Sequence, residues 1–134
     1  MRLRESLLLK GGICIGNESK RVAVIGTGPA GMHSALLLAG QGFAVEVFEK
    51  EALPGGMLRY YLPEFRFSRK GIEGKVEKLK ALGVKIHLNS AIGREKPLSN
   101  LIEEFDAVVL ASGEWNARKM GVEGEGLKGI IYWT

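Results

Sequence analysis

Three glycines, Gly26, Gly28 and Gly31, stand at G-x-G-x-x-G spacing, and an acid, Glu49, follows about 20 residues on with Lys50 beside it. In that order these residue types can hold an anion with backbone alone and then grip a sugar. Gly26 permits a tight turn. Gly28 carries no Cβ, so backbone can come close to a pyrophosphate. Gly31 lets a helix lie against a sheet with no Cβ between them. Pro29 and Ala30 open that helix; a proline in the first turn lacks only an N–H that has no intrahelical partner. The helix N-terminus offers N–H groups and the positive end of its dipole to the anion. A carboxylate at Glu49 can accept hydrogen bonds from both hydroxyls of an adenosine ribose. It also repels a 2′-phosphate, so the site should not prefer NADP.

The elements that must position these residues are legible on either side of them. A largely β-branched run, Val22 to Ile25, predicts a strand leading into the turn. An apolar helical run follows from about Ala30 to Ala39, with Ala35 small enough to keep helix and sheet close, and Gly42 ends it. A second apolar run, Val45, Val47 and Phe48, carries Glu49 at its tip. Strand, glycine turn, helix, strand and acid form a dinucleotide-binding βαβ unit. A glycine triplet alone is weak, because a glycine-rich turn can bind nothing; the register of all five parts selects the binding reading. The motif leaves FAD and NAD undecided. The expected fold is α/β, a Rossmann-like parallel sheet flanked by helices, with residues 1–20 an N-terminal extension and 21–134 the dinucleotide-binding domain.

The chain has 134 residues, enough for one domain with its own core. Hydrophobic residues at 46% and charged residues at 25% are ordinary for a globular protein. A net charge of +4 suits an anionic ligand, and no interleaved basic and aromatic segment points to nucleic acid. One cysteine, Cys14, excludes an internal disulfide and a self-contained cysteine-ligated metal or iron–sulfur site. Cys14 itself reads as a small apolar residue. No apolar run approaches the length of a membrane span, and Leu7 to Leu9 is too short for a signal sequence, so the cytoplasm is the expected compartment.

Residues 51–68 form a long irregular stretch with two prolines, two glycines, aromatics and arginines, which is the composition of a loop that packs on something flat and anionic. Ser68 is then expected to cap a helix whose apolar positions are Ile72, Val76, Leu79 and Leu82, ended by Gly83. The lysines on its other face read as a solvated surface. Val84 to Leu88 alternates as a strand with Val84, Ile86 and Leu88 inward, leaving His87 outward; His87 and His33 are expected to be ordinary surface residues. Pro97 and Ser99 open a short amphipathic helix through Leu101, Ile102 and Phe105. Asp106 to Gly113 reads as a buried strand ending in the small residues Ala111, Ser112 and Gly113, which leave room for a ligand to cross the sheet edge. The turn-rich tail finishes on Ile130 to Trp133, apolar surface that needs a cover.

Taken together, Val22 to Gly31, Glu49, the Pro54-Gly-Gly-Met-Leu-Arg-Tyr60 block, Leu62 to Arg66, Lys78 to Asn89, Glu103 to Gly113 and Gly121 to Glu125 resemble the FAD domain of the glutamate synthase small (β) subunit. The same module is similar to the flavin domains of dihydropyrimidine dehydrogenase and of NADH-dependent ferredoxin:NADP oxidoreductases. The resemblance spans roughly residues 20 to 130. It implies FAD at this site, with Gly26, Gly28, Pro29, Ala30 and Gly31 at the pyrophosphate, Glu49 and Lys50 at the adenosine ribose, and Gly56 and Met57 against the cofactor. It also implies Arg66 paired with the diphosphate, Ile92 touching the adenine, and Ala111, Ser112 and Gly113 at the crossing point. Tyr61, Ser68, Ser112 and Glu123 depart from the pattern, where the family has glycine, proline, threonine and proline.

In this family a nicotinamide-binding domain is inserted after this point and a C-terminal segment completes the flavin site; neither is present in these residues. The resemblance therefore implies the FAD-binding part of an NAD(P)H-dependent oxidoreductase relaying electrons through flavin. Another subunit would supply the NAD(P)H-binding domain and the rest of the flavin site, and an iron–sulfur partner would take the electrons. Hydride transfer needs no protein nucleophile or base, so no catalytic side chain is expected. Other readings are a non-catalytic module binding ADP, ATP or FAD within a multisubunit complex, the NAD-binding domain of an ordinary dehydrogenase, and a fragment without function.

Overall fold

The computed structural model describes residues 20–114, 119 and 121–130. The expectations for the N-terminal extension, Cys14 and the final Ile131 to Thr134 lie outside these residues. Four strands form one parallel sheet in the order β3-β2-β1-β4, with β1 at Arg21–Ile25, β2 at Ala44–Phe48, β3 at Lys85–His87 and β4 at Ala107–Leu110. The chain leaves β1 for β2 on one side and returns to β4 on the other. This makes the carboxyl end of β1 the point where the winding reverses, the place where open α/β sheets bind ligands.

Alternation along the strands sorts the side chains to two faces. Val24, Val45 and Val47 bury one face under helix α1 (Pro29–Gly40) and helix α3 (Lys70–Ala81), which contribute Met32, Ala35, Ile72 and Leu79. Ala23 and Phe48 bury part of the other face with Leu101 of helix α4 (Leu98–Glu104) and Phe105. The loop after β2 contains one further helical turn, α2 (Met57–Tyr60). No helix among the described residues is long and apolar enough to cross a membrane.

Three details differ from the sequence reading. Helix α3 is capped by Arg69 with no side-chain hydrogen bond; Ser68 contributes only its carbonyl, which accepts from the Gly71 N–H. Among the described residues the fourth strand pairs with β1 alone and is an edge rather than a buried strand: Leu110 is 67% exposed and so is much of Ile102 beside it. A continuous apolar run looks the same whether or not a neighbour strand covers it, so the sequence could not tell. Finally, Leu82 and Leu88 are half-exposed because each lies just past the end of its element.

Candidate nucleotide site

The glycine turn is built by close approach. Gly26 takes a φ of +103°, and a Cβ there would lie 2.3 Å from the Ala111 carbonyl oxygen, so the ends of β1 and β4 meet over it. A Cβ on Gly31 would lie 1.9 Å from the Gly26 carbonyl oxygen; only glycine lets α1 start so near the strand. Gly28 is different. Beyond its immediate chain neighbours nothing lies within 4 Å of where its Cβ would be, and the space in front of it is a cavity. Gly56, in turn, packs on Gly28, with a Cβ position 2.8 Å from the Gly28 Cα.

That cavity, of about 720 Å³, opens at the carboxyl ends of β1, β2 and β4. Such a volume is ordinary for a small-molecule pocket. No side chain caps α1, whose first residues Pro29 and Ala30 line the cavity, so the helix start keeps its capacity for an anion. Glu49 lines the same cavity beside the glycine turn, 5% exposed. Its Oε2 accepts from the Thr27 N–H at 2.8 Å and from the Thr27 hydroxyl, and its Oε1 accepts from the Glu51 N–H at 3.0 Å. Backbone bonds from Glu49 N–H to the His87 carbonyl and from Ser90 N–H to the Glu49 carbonyl extend the β2–β3 pairing past the strand ends and fix its place.

Of the sequence-predicted residues, Gly26, Gly28, Pro29, Ala30, Glu49, Lys50, Gly56, Met57, Ile92, Ala111, Ser112 and Gly113 line this one cavity. Gly31 lies behind the turn rather than in the lining, in the packing place predicted for it. Arg66 is not brought to the others; it is exposed and outside the cavity wall. Sequence reasoning missed Ile25, Thr27, Phe48, Glu51, Ser90, Ala91, Arg94, Glu95 and Glu114, all in the lining. The signal for Thr27 was present, a hydroxyl set between two glycines of the turn. Phe48 and Glu51 flank the acid, while Ser90, Ala91, Arg94 and Glu95 depend on how the segment after β3 folds back: Ile92 bridges to Lys96, and Ala91 N–H donates to Glu95 at 3.3 Å.

Outside the cavity, His87 is not an ordinary surface residue. Its Nε2 is 2.8 Å from Glu46 and its ring stacks on Phe48 at 4.8 Å between centroids. Burial pushes the Glu46 carboxyl up. The hydrogen bond from His87, the Lys85 charge and the hydrogen bond from Arg21 outweigh that, so it ionises below the usual carboxylate range. His33 is exposed, as expected.

The residues present fit an adenosine diphosphate group. A phosphate cradle that a Cβ at Gly28 would fill, an uncapped helix start and a buried acid share one cavity. Residues 20–133 match the family described as "Pyridine nucleotide-disulphide oxidoreductase". The chain is 43% identical over 108 residues to the NADP(+)-dependent formate dehydrogenase subunit beta of Moorella thermoacetica, covering 81% of this chain and 15% of that subunit. It is 38% identical over 111 residues to the glutamate synthase [NADPH] small chain of Halomonas elongata, covering 83% of this chain and 24% of the relative. The solved structure of Mycobacterium tuberculosis FprA in complex with NADPH superposes with a TM-score of 0.69 at 26% identity, over 84% of this chain and 26% of that one. These residues thus correspond to under a third of each of these three proteins.

Proposed function

The chain belongs to the pyridine nucleotide-disulphide oxidoreductase family, and from that premise we propose that it grips the adenosine diphosphate portion of FAD in an NAD(P)H-dependent flavoprotein. The observation that carries this reading is the single cavity shared by the Gly28 cradle, the start of α1 and Glu49. Gly26 to Ala30 and the helix start would hold the pyrophosphate. Glu49, with Lys50 beside it, would take the ribose, and Ile92 the adenine. Gly56, Met57 and Ala111 to Gly113 would line the path toward the redox end. Phe48 and Ile25 give the floor an apolar character that keeps water from competing for these bonds.

Bound FAD supplies acceptance of a hydride from a nicotinamide and onward delivery of electrons. The work of this chain's own residues is to bind and orient. The nicotinamide-binding domain and an iron–sulfur acceptor belong, in this reading, to polypeptide beyond these residues, as in a relay similar to that of the glutamate synthase small subunit. The proposed compartment is the cytoplasm. A second reading is a module that binds ADP, ATP or FAD with no redox role; the Gly28 cradle and Glu49 address only the adenosine diphosphate portion that these ligands share.

The absorption spectrum of the purified chain, followed by mass spectrometry of the released nucleotide, separates them. A flavin spectrum with FAD released is the expected result. An adenine nucleotide without flavin selects the second reading, and retention of NAD but not FAD overturns the first. The isolated chain should not turn over NADPH with an artificial acceptor; turnover would show that no further domain is needed.

A further inference from the structure

Thr27 is 1% exposed and ties together the segments that form the site. Its N–H and hydroxyl both donate to Glu49, and its Oγ accepts the Gly55 N–H at 3.1 Å. Gly55 takes a φ of +133°, and a Cβ there would lie 2.9 Å from the Arg59 Cβ, so that turn has little freedom to find another acceptor. Thr27 therefore links the glycine turn, the acid after β2 and the loop that brings Gly56 onto Gly28.

The arithmetic at Glu49 gives this link a function. A carboxylate has about four acceptor positions. Two backbone N–H groups and the Thr27 hydroxyl occupy three of them. A ribose that donates both hydroxyls needs two, and one remains. The backbone donors are fixed by the turns that carry them. The hydroxyl proton alone can swing away by rotation about Cβ–Oγ, and the Gly55 N–H keeps the oxygen in place while it does.

We propose that Thr27 is a positioning residue for sugar recognition: its hydroxyl holds Glu49 in register while the site is empty and yields one acceptor position to the ribose when a nucleotide enters. This rests on the adenine-nucleotide reading above, and deepens it by assigning how the sugar is read. The substrate feature recognised is the intact 2′,3′-diol.

Calorimetric titration of the full chain with ADP and with 2′-deoxy-ADP tests it. The parent should prefer ADP by about tenfold, the equivalent of one hydrogen bond. Thr27→Val, which keeps the shape and loses the hydroxyl, should bind ADP about tenfold more weakly and lose most of that preference. Thr27→Ser should restore both. A Thr27→Val chain that unfolds cooperatively and keeps the parent's preference overturns the proposal, as does failure of Thr27→Ser to rescue. If the valine variant does not fold, Thr27→Ala is read in the same way. A parent chain that binds neither nucleotide sinks the adenine-nucleotide reading and this proposal together. A parent that binds ADP, with a preference that the substitutions do not move, sinks only this one.

Discussion

Glu46 lies on β2 and Glu49 just past its end, and strand alternation sends them to opposite faces of the sheet. Their surroundings differ in kind. Glu46 meets Arg21 at 3.4 Å, Lys85 at 3.6 Å and His87 at 2.8 Å. The three hydrogen bonds that Glu49 accepts come from uncharged donors, two backbone N–H groups and a hydroxyl. Cations cancel the charge they hold, so Glu46 is used up in joining β1, β2 and β3. Dipoles fix a carboxylate's direction and offset its burial while leaving its charge available. An acid meant for the fold is neutralised; an acid meant for a ligand is aimed.

The contrast breaks most visibly on deletion. Glu49→Ala strands the Thr27 hydroxyl and N–H and the Glu51 N–H in a largely buried place, and should cost about 3 kcal/mol of stability. Denaturant unfolding of Glu49→Ala beside Glu46→Ala measures this, and an equal or larger loss in the second variant ends the distinction drawn here.

Gly28→Val sharpens the same contrast by separating binding from folding. Gly28 has φ −64° and ψ −179°, open to any residue, and its Cβ would enter the cavity rather than the protein. Stability should hold within about 1 kcal/mol while ADP affinity falls by about ten- to a hundredfold. A stable variant that binds ADP as the parent does would place the phosphates elsewhere. On the other side, Glu46→Ala should cost about 1 kcal/mol, because Arg21, His87 and Lys85 are exposed enough to recover water.

The region around Glu49 was readable from sequence because its geometry is local. The spacing of Gly26, Gly28 and Gly31, the apolar run of α1 and the position of the acid are all set within one βαβ unit, and chirality and hydrogen bonding leave it few ways to fold. The region around Glu46 was not. Its partners come from β1 and from β3, and only the register that sets Glu46 against Lys85 and Phe48 against His87 creates the cluster. Thr27 falls between these cases. Its place in the turn was visible, but its bond to Gly55 depends on a loop whose course no periodicity specifies. Arg66 depends on the same loop: the motif carries the residue type, while its side chain is exposed and is not among the cavity lining.

The smallest predicted effect is the pH dependence of the Glu46 cluster. The carboxyl titrates below its ordinary value of 4.5 in the folded chain, because His87, Lys85 and Arg21 favour the ionised form more than burial disfavours it. In the unfolded chain those partners are gone and the ordinary value returns. The folded state therefore binds the Glu46 proton less readily, and its contribution to stability is complete above about pH 4.5. It is lost as pH falls through the folded value. Arg21 and Lys85 stay charged through that window, so the change belongs to the carboxyl. Glu46→Gln has no such proton to bind. The gap in unfolding free energy between parent and Glu46→Gln should close by about 1 kcal/mol or less as pH falls below about 4.5. Urea denaturation of both chains from pH 7 to about pH 3 reads the gap directly. A gap that stays level or widens toward acid would mean that the cations around Glu46 do not hold its charge, and the contrast with Glu49 would lose its electrostatic basis.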